Sequence, residues 1–526
     1  MSSCPTIWRS SGSSPARPCR PLAQLRGAEQ CSQDVVWSSR HPVLPARPHP
    51  RARAPSARSA RASGLAAAAI AALALALAPG LASARKLAHG GAKSARGPSV
   101  SAALLGLEQS GAITPASYQH DYRAYLAAKR SLGRLGGTRR VELGAVLANV
   151  EAIAAAGGFT TSRLPALFLT LERNRQWWTT EPLLANGARV SFAPSKVVWQ
   201  YYAGQGIEIQ WLATFGKANA YYHSGHENAN LRALLSDVLP LASSRAGGIA
   251  WEYEFRFDGG RPPWTSGLSQ GTALQALSRA YARFKEPELL RAAQDALGVF
   301  RSSPPAGVRV RTAVGAHYAE YSYAPADRIL NGFIQALVGL YDYTAISKDP
   351  LGLALFQAGD AEARAEVPHY DTGAWSLYDQ FSESSLNYHQ LLTEFLQNLC
   401  ERTRRGPPLG QAGGVPIAGD EIYCTTARRF TADLRMPPQI ALLTKALRGA
   451  TRAGVQLSLS KISTVAMTVR QGARVVWSNR ATLERGRPRL LWPTPARGGT
   501  YAVTLAATDP AGNFATTSGT IVVSRH

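Results

Sequence analysis

Residues 329–343 read Ile-Leu-Asn-Gly-Phe-Ile-Gln-Ala-Leu-Val-Gly-Leu-Tyr-Asp-Tyr. Leu330, Phe333, Ile334, Leu337, Leu340 and Tyr341 recur at helical spacing, which predicts a helix with one broad buried stripe. The same period returns on both sides, in pieces of 10 to 18 residues separated by Gly and Pro: 141–156, 209–222, 231–241, 269–284, 289–300 and 386–399. Short strands fit at 190–202 and 308–313. Many helices of this length, joined by loops rich in aromatics and carboxylates, suit an (α/α) toroid or barrel of helical hairpins over 116–445.

From 453 the texture changes to period-two alternation, as in Val455-Gln-Leu457-Ser-Leu459, Val465-Ala-Met467-Thr-Val469 and Tyr501-Ala-Val503-Thr-Leu505. Turns at Gln471-Gly472, Arg497-Gly498-Gly499 and Asp509-Pro-Ala-Gly-Asn513 separate these runs. Residues 453–526 therefore read as a small all-β, immunoglobulin-like sandwich. The fold class expected for the whole chain is mainly α, with this β module at its end.

The chain has 526 residues and a formal charge of +24, from 58 Lys and Arg against 34 Asp and Glu. The charge is unevenly spread. Residues 1–100 carry 14 basic and 2 acidic side chains (+12), 101–450 carry 34 and 30 (+4), and 451–526 carry 10 and 2 (+8). The near-neutral body argues against nucleic acid as the partner. Arg485, Arg487, Arg489 and Arg497 form a basic set suited to an acidic polymer, or a charge distribution that merely solubilises the module.

The N-terminal excess reads as targeting. Arg51 to Arg61 leads into an apolar run from Gly64 to Ala78, followed by Pro79-Gly-Leu-Ala-Ser-Ala84, a small-residue cleavage pattern. We read 1–84 as an N-terminal extension and signal peptide cleaved near Ala84, and 85–115 as a linker. The run is shorter than the roughly 20 residues of a membrane span, although an uncleaved anchor reaching Ala84 is the alternative. The 60-odd residues ahead of it are too long for an ordinary n-region, so a start near Val43 is also considered. Export to the periplasm, cell surface or medium is the expected localisation, with no membrane span after cleavage. Beyond the cleavage point only Cys400 and Cys424 remain, 24 positions apart and outside any CxxC spacing. In an exported chain they read as one disulfide, with two separate buried thiols as the alternative.

His223-x-x-His226-Glu227 invites a metal reading but matches neither HExxH nor HxxEH, and no metal is assigned. No GxSxG elbow, Walker loop or dinucleotide fingerprint is present in the right context.

The informative cluster lies between 250 and 400. It contains Trp264-Thr-Ser266-Gly-Leu-Ser-Gln270, His317-Tyr-Ala-Glu320-Tyr321-Ser-Tyr323-Ala-Pro325 and Leu330-Asn331-Gly332-Phe333. Gly339-Leu-Tyr-Asp342, Tyr370-Asp-Thr-Gly373, Tyr378-Asp379 and Tyr388-His389 follow. In these ordered motifs the chain resembles the C-terminal catalytic domain of the heparan sulfate glucuronyl C5-epimerase family, strongly over 250–400 and weakly over 195–250. The resemblance implies epimerisation at C5 of D-glucuronic acid to L-iduronic acid within a heparosan-like polysaccharide. Such a reaction needs a base on one face of the sugar, a proton donor on the other, and a partner for the carboxylate. It needs no cofactor.

By motif, the resemblance implies catalytic roles for Glu320, Tyr321, Tyr378 and Tyr388, with Glu320 and Tyr388 as the opposed acid/base pair. Asn331, Tyr201, Gln205, Ser266, Gln270 and His389 are expected to bind substrate. Animal members follow the second Tyr-Asp with an arginine suited to a carboxylate, where this chain has Gln380-Phe-Ser-Glu383. Arg256 or Lys196 is the expected substitute. A uronan lyase, sharing the proton abstraction, and a non-catalytic binder of acidic polysaccharide are the rival readings. A homodimer is kept as a possible assembly.

Overall fold

The computed structural model describes residues 97–405 and 421–525. The expected N-terminal extension, signal peptide and first part of the linker lie outside them.

The helical part contains α1 (Val100–Gln109), α2 (Pro115–Arg134), α3 (Gly137–Ala155), α4 (Leu164–Thr180), α5 (Trp211–Ser224) and α6 (Asn228–Val238). It continues through α7 (Gly267–Phe284), α8 (Pro287–Arg301), α9 (Leu330–Ser347), α10 (Pro350–Glu366), α11 (Leu386–Arg405) and α12 (Glu421–Asp433). Between them lie β1 (Arg189–Val190), β2 (Trp199–Tyr202) and β3 (Gly206–Ile209), which form one antiparallel sheet. Two short hairpins pair β4 (Ser243–Arg245) with β5 (Gly248–Ala250) and β6 (Arg309–Arg311) with β7 (Ala316–Tyr318). No helix among the described residues is long and apolar enough to cross a membrane.

Helix α9 is the centre of the helical part and packs on α7, α10 and α11. Its stripe is buried as the period predicts: Leu330, Phe333, Ile334, Leu337 and Leu340 are all fully covered. The α7–α9 contact is backbone to backbone. A β-carbon at Gly271 would meet Ala336 Cα at 2.6 Å, and one at Gly339 would meet the Gly271 carbonyl oxygen at 2.0 Å. Only glycine lets two helices approach so closely. Ser266 starts α7 by accepting the Ser269 amide, and Asp349 starts α10 by accepting the Leu351 amide ahead of Pro350. Cys400 of α11 and Cys424 of α12 are joined in a disulfide.

Two expected boundaries move. The stretch read as a linker holds α1, whose Val100 and Leu104 are buried in the main core and whose first turn is capped by Ser99. The Gly/Ser texture that dominates 85–99 masked the i, i+4 apolar pair just after it. The β module also begins earlier than 453, because β8 (Ile440–Leu442) and β9 (Ala446–Arg448) already belong to its sheets.

The remaining strands are β10 (Arg452–Leu459), β11 (Ser463–Gln471), β12 (Arg474–Leu483), β13 (Arg489–Pro493), β14 (Gly499–Thr508) and β15 (Phe514–Ser524). They make a three-stranded sheet, β13-β10-β8, and a five-stranded one, β12-β11-β14-β15-β9. The inward residues of the alternating runs, among them Val455, Leu457, Val465, Met467, Val503 and Leu505, share one apolar core.

Candidate active site

Glu320 follows β7, in a turn fastened to the entrance of α7. The Gly267 amide donates to the Ala319 carbonyl at 3.1 Å, and the Ser322 amide to the Thr265 carbonyl at 3.0 Å. The carboxyl is 1% exposed and its Oε2 has no hydrogen-bond partner. Space for it comes from Gly332, where a β-carbon would lie 2.5 Å from that oxygen. Burial lifts the Glu320 carboxyl to about 7, against the opposing pull of a hydrogen bond from Tyr321. A carboxyl in that range holds or releases a proton near neutrality.

Three tyrosines surround it. Tyr321 is wedged among Phe257, Trp264 and Tyr323, with ring centroids at 5.8, 5.7 and 5.4 Å. Tyr378 comes from the hairpin 376–384, and Tyr388 from the first turn of α11; their rings lie 4.7 Å apart. Burial pushes all three hydroxyls above the usual tyrosine range, and the nearby Glu320 charge adds to each shift. They therefore stay protonated at neutral pH, with hydroxyls able to donate hydrogen bonds. Asn331, beside Gly332, is 2% exposed, and neither its amide oxygen nor its amide nitrogen has a partner. Buried polar atoms left unpaired in this way are uncommon and mark groups available to a ligand.

The cleft next to Glu320 and Tyr321 has walls that include Tyr202, Tyr253, Phe257 and Trp264. Trp264 stacks on Tyr253 at 4.3 Å, giving one side a continuous aromatic surface. Ser266 also lines the cleft while capping α7.

The other expected substrate contacts sit elsewhere. Tyr201 faces the core and donates to Glu142 Oε1 at 2.8 Å. Gln205 ties a turn together, its Oε1 accepting from Asn149 Nδ2 and the Arg256 amide. Arg256 is exposed and is not among the cleft residues; Tyr253, Phe255 and Phe257 are, and it falls out of phase with them. Gln270 is fully buried, donating to the Trp251 carbonyl at 3.1 Å, and does not line the cleft. His389 is fully buried too: it stacks on Trp375 at 3.8 Å, and its ring nitrogens meet Ser376 Oγ and the Phe430 carbonyl.

Tyr202 and Tyr253 were missed. Tyr202 accepts from Gln210 Nε2 at 2.9 Å and adds to the electrostatic surroundings of Tyr388. Tyr253 is pushed up to about 12 by burial and shares a hydroxyl contact with Ser269 at 2.7 Å. Strand alternation could have separated Tyr202 from Tyr201, but not decided which of the two faces the cleft. Arg189 is exposed on β1, registered opposite Gln200; it interacts electrostatically with Tyr202 and Tyr253 but is not among the residues that line the cleft.

Comparison with known proteins bears on this cluster. Residues 246–406 match the family model for the D-glucuronyl C5-epimerase C-terminus. A D-glucuronyl C5-epimerase of Caenorhabditis elegans is 32% identical over 131 residues, covering 22% of this chain and 21% of the worm protein. An uncharacterised protein of Methanocaldococcus jannaschii is 26% identical over 151 residues, covering 27% of this chain and 49% of its own. The chain thus spans a fifth to a half of these relatives. An endo-β-1,4-glucanase of Acetobacter xylinum overlaps 46% of this chain and 93% of its own, at 12% identity and a TM-score of 0.29. The last likeness is too low to carry an argument. Glu320, Tyr321, Asn331, Tyr378 and Tyr388 all fall inside residues 246–406, the segment that matches the D-glucuronyl C5-epimerase C-terminus family model.

Proposed function

We propose that the chain is an isomerase that inverts C5 of D-glucuronic acid residues to L-iduronic acid within a heparosan-like acidic polysaccharide. The observation that carries this is Glu320, buried among three protonated tyrosines beside an aromatic cleft and lifted to about 7.

In this reading Glu320, ionised, takes the C5 proton. The electron pair left at C5 moves into the adjoining carboxylate, whose growing charge is met by Asn331. Tyr388 then returns a proton to the opposite face, while Tyr321 and Tyr378 hydrogen-bond the uronate. One proton leaves, one arrives, and no bond to the neighbouring sugar breaks. No cofactor is required.

We further propose that the helical part is an (α/α) toroid, that the β module is immunoglobulin-like, and that the chain is exported. The basic residues of the module are read as helping to hold the polymer. Disaccharide analysis of heparosan after incubation tests the reaction: new iduronate supports it. An unsaturated, ultraviolet-absorbing product would assign a lyase instead, and binding without either product a non-catalytic protein.

A further inference from the structure

Tyr378 sits on one arm of a tight hairpin, and Glu383 on the other. The Tyr378 amide donates to the Ser382 carbonyl at 2.8 Å, Leu377 bridges to Glu383, and Asp379 Oδ1 accepts the Phe381 and Ser382 amides. Glu383 then leaves the helical part altogether. Its Oε2 accepts the Ile462 amide at 3.1 Å and the Arg485 amide at 3.2 Å, both in the β module. A second contact runs in parallel. Lys461, fully buried, donates to the Asp433 and Met436 carbonyls at 2.8 and 2.6 Å, pairs with Asp509 at 2.9 Å, and lies 5.1 Å over the Trp375 ring. Trp375 stacks on His389, the neighbour of Tyr388, and donates to the Ser384 carbonyl at the far end of the hairpin.

We infer that the C-terminal β module is a brace for the two tyrosines Tyr378 and Tyr388, with Glu383 as the positioning residue that ties the Tyr378 hairpin to it. The module reaches the two tyrosines through backbone amides and one lysine. A flexible hairpin would let the Tyr378 ring wander, and misplacement by about 1 Å costs up to about 100-fold in rate. The catalytic part of this inference rests on the proposed epimerisation; the mechanical part does not.

The test uses the full chain with Glu383→Ala and Glu383→Gln, read by amide hydrogen exchange of peptide 376–384 and by kcat and KM on heparosan. Glu383→Ala should exchange at least about tenfold faster in that peptide and lose about 10- to 100-fold in kcat, with KM within about twofold. Glu383→Gln keeps an acceptor oxygen and should stay near the parent in both. Exchange and kcat unchanged in Glu383→Ala, or Glu383→Gln falling as far as Glu383→Ala, would overturn the brace. Should the parent chain not epimerise heparosan, the epimerase reading fails. The exchange comparison alone then decides the brace: faster exchange upholds it and unchanged exchange overturns it.

Discussion

Gly332 and Glu320 occupy each other's space: a β-carbon at position 332 would stand 2.5 Å from the Glu320 Oε2 and 3.2 Å from its Cβ. The glycine inside a buried helix costs about 1 kcal/mol relative to alanine in helix propensity. What it provides is a slot for a carboxyl with nothing else bonded to Oε2.

Gly332→Ala should therefore separate fold from function. The helix gains propensity while Glu320 is displaced, so activity is expected to fall by about 100-fold or more with a melting temperature changed by only a few degrees. C5 exchange rates alongside a thermal melt measure the two effects.

The raised Glu320 carboxyl makes stability depend on pH. Between the ordinary 4.5 and about 7 the folded chain holds this proton more tightly than the unfolded chain does, so stability falls as pH rises through that window. The loss amounts to about 3 kcal/mol at most. Glu320→Gln should be inactive yet more stable than the parent at pH 8, with the advantage gone near pH 4; denaturant titrations at both pH values check it. For the active parent, ionised Glu320 as base predicts a rate that declines below pH 7.

Tyr388→Phe removes the proposed donor without altering the ring packed on Tyr378. A loss of 100- to 10,000-fold in turnover with little change in stability is expected, the usual range for deleting a general acid. Steady-state kinetics on heparosan reads it directly.

Adjacent tyrosines should behave oppositely. Tyr201→Phe breaks a buried bond to Glu142 and should cost about 1–2 kcal/mol of stability with turnover retained. Tyr202→Phe, at the cleft, should spare stability and weaken activity. Paired denaturation and kinetic measurements on the two variants distinguish the wall of the cleft from its support.

The pattern of legibility follows the range of the forces involved. Helix α9 was readable because its stripe is a local period, and the cluster around Glu320 because several short motifs carry it in order. Tyr202 was not, since the face of β2 that meets the cleft depends on α3 and Glu142 behind the sheet. His389 looked like a ligand for substrate because its stacking on Trp375 and its bond to Phe430 involve residues distant in the sequence. Glu383 was seen only as the residue standing after a missing arginine, and nothing local points to Ile462 and Arg485, 79 and 102 positions away.

The most direct test is incubation of heparosan with the full chain in heavy water, followed by NMR of the polymer. The account predicts deuterium at C5 of the uronic acids together with new iduronate signals, both abolished in Glu320→Gln. No label at C5 of heparosan or of any other glucuronan offered would contradict it.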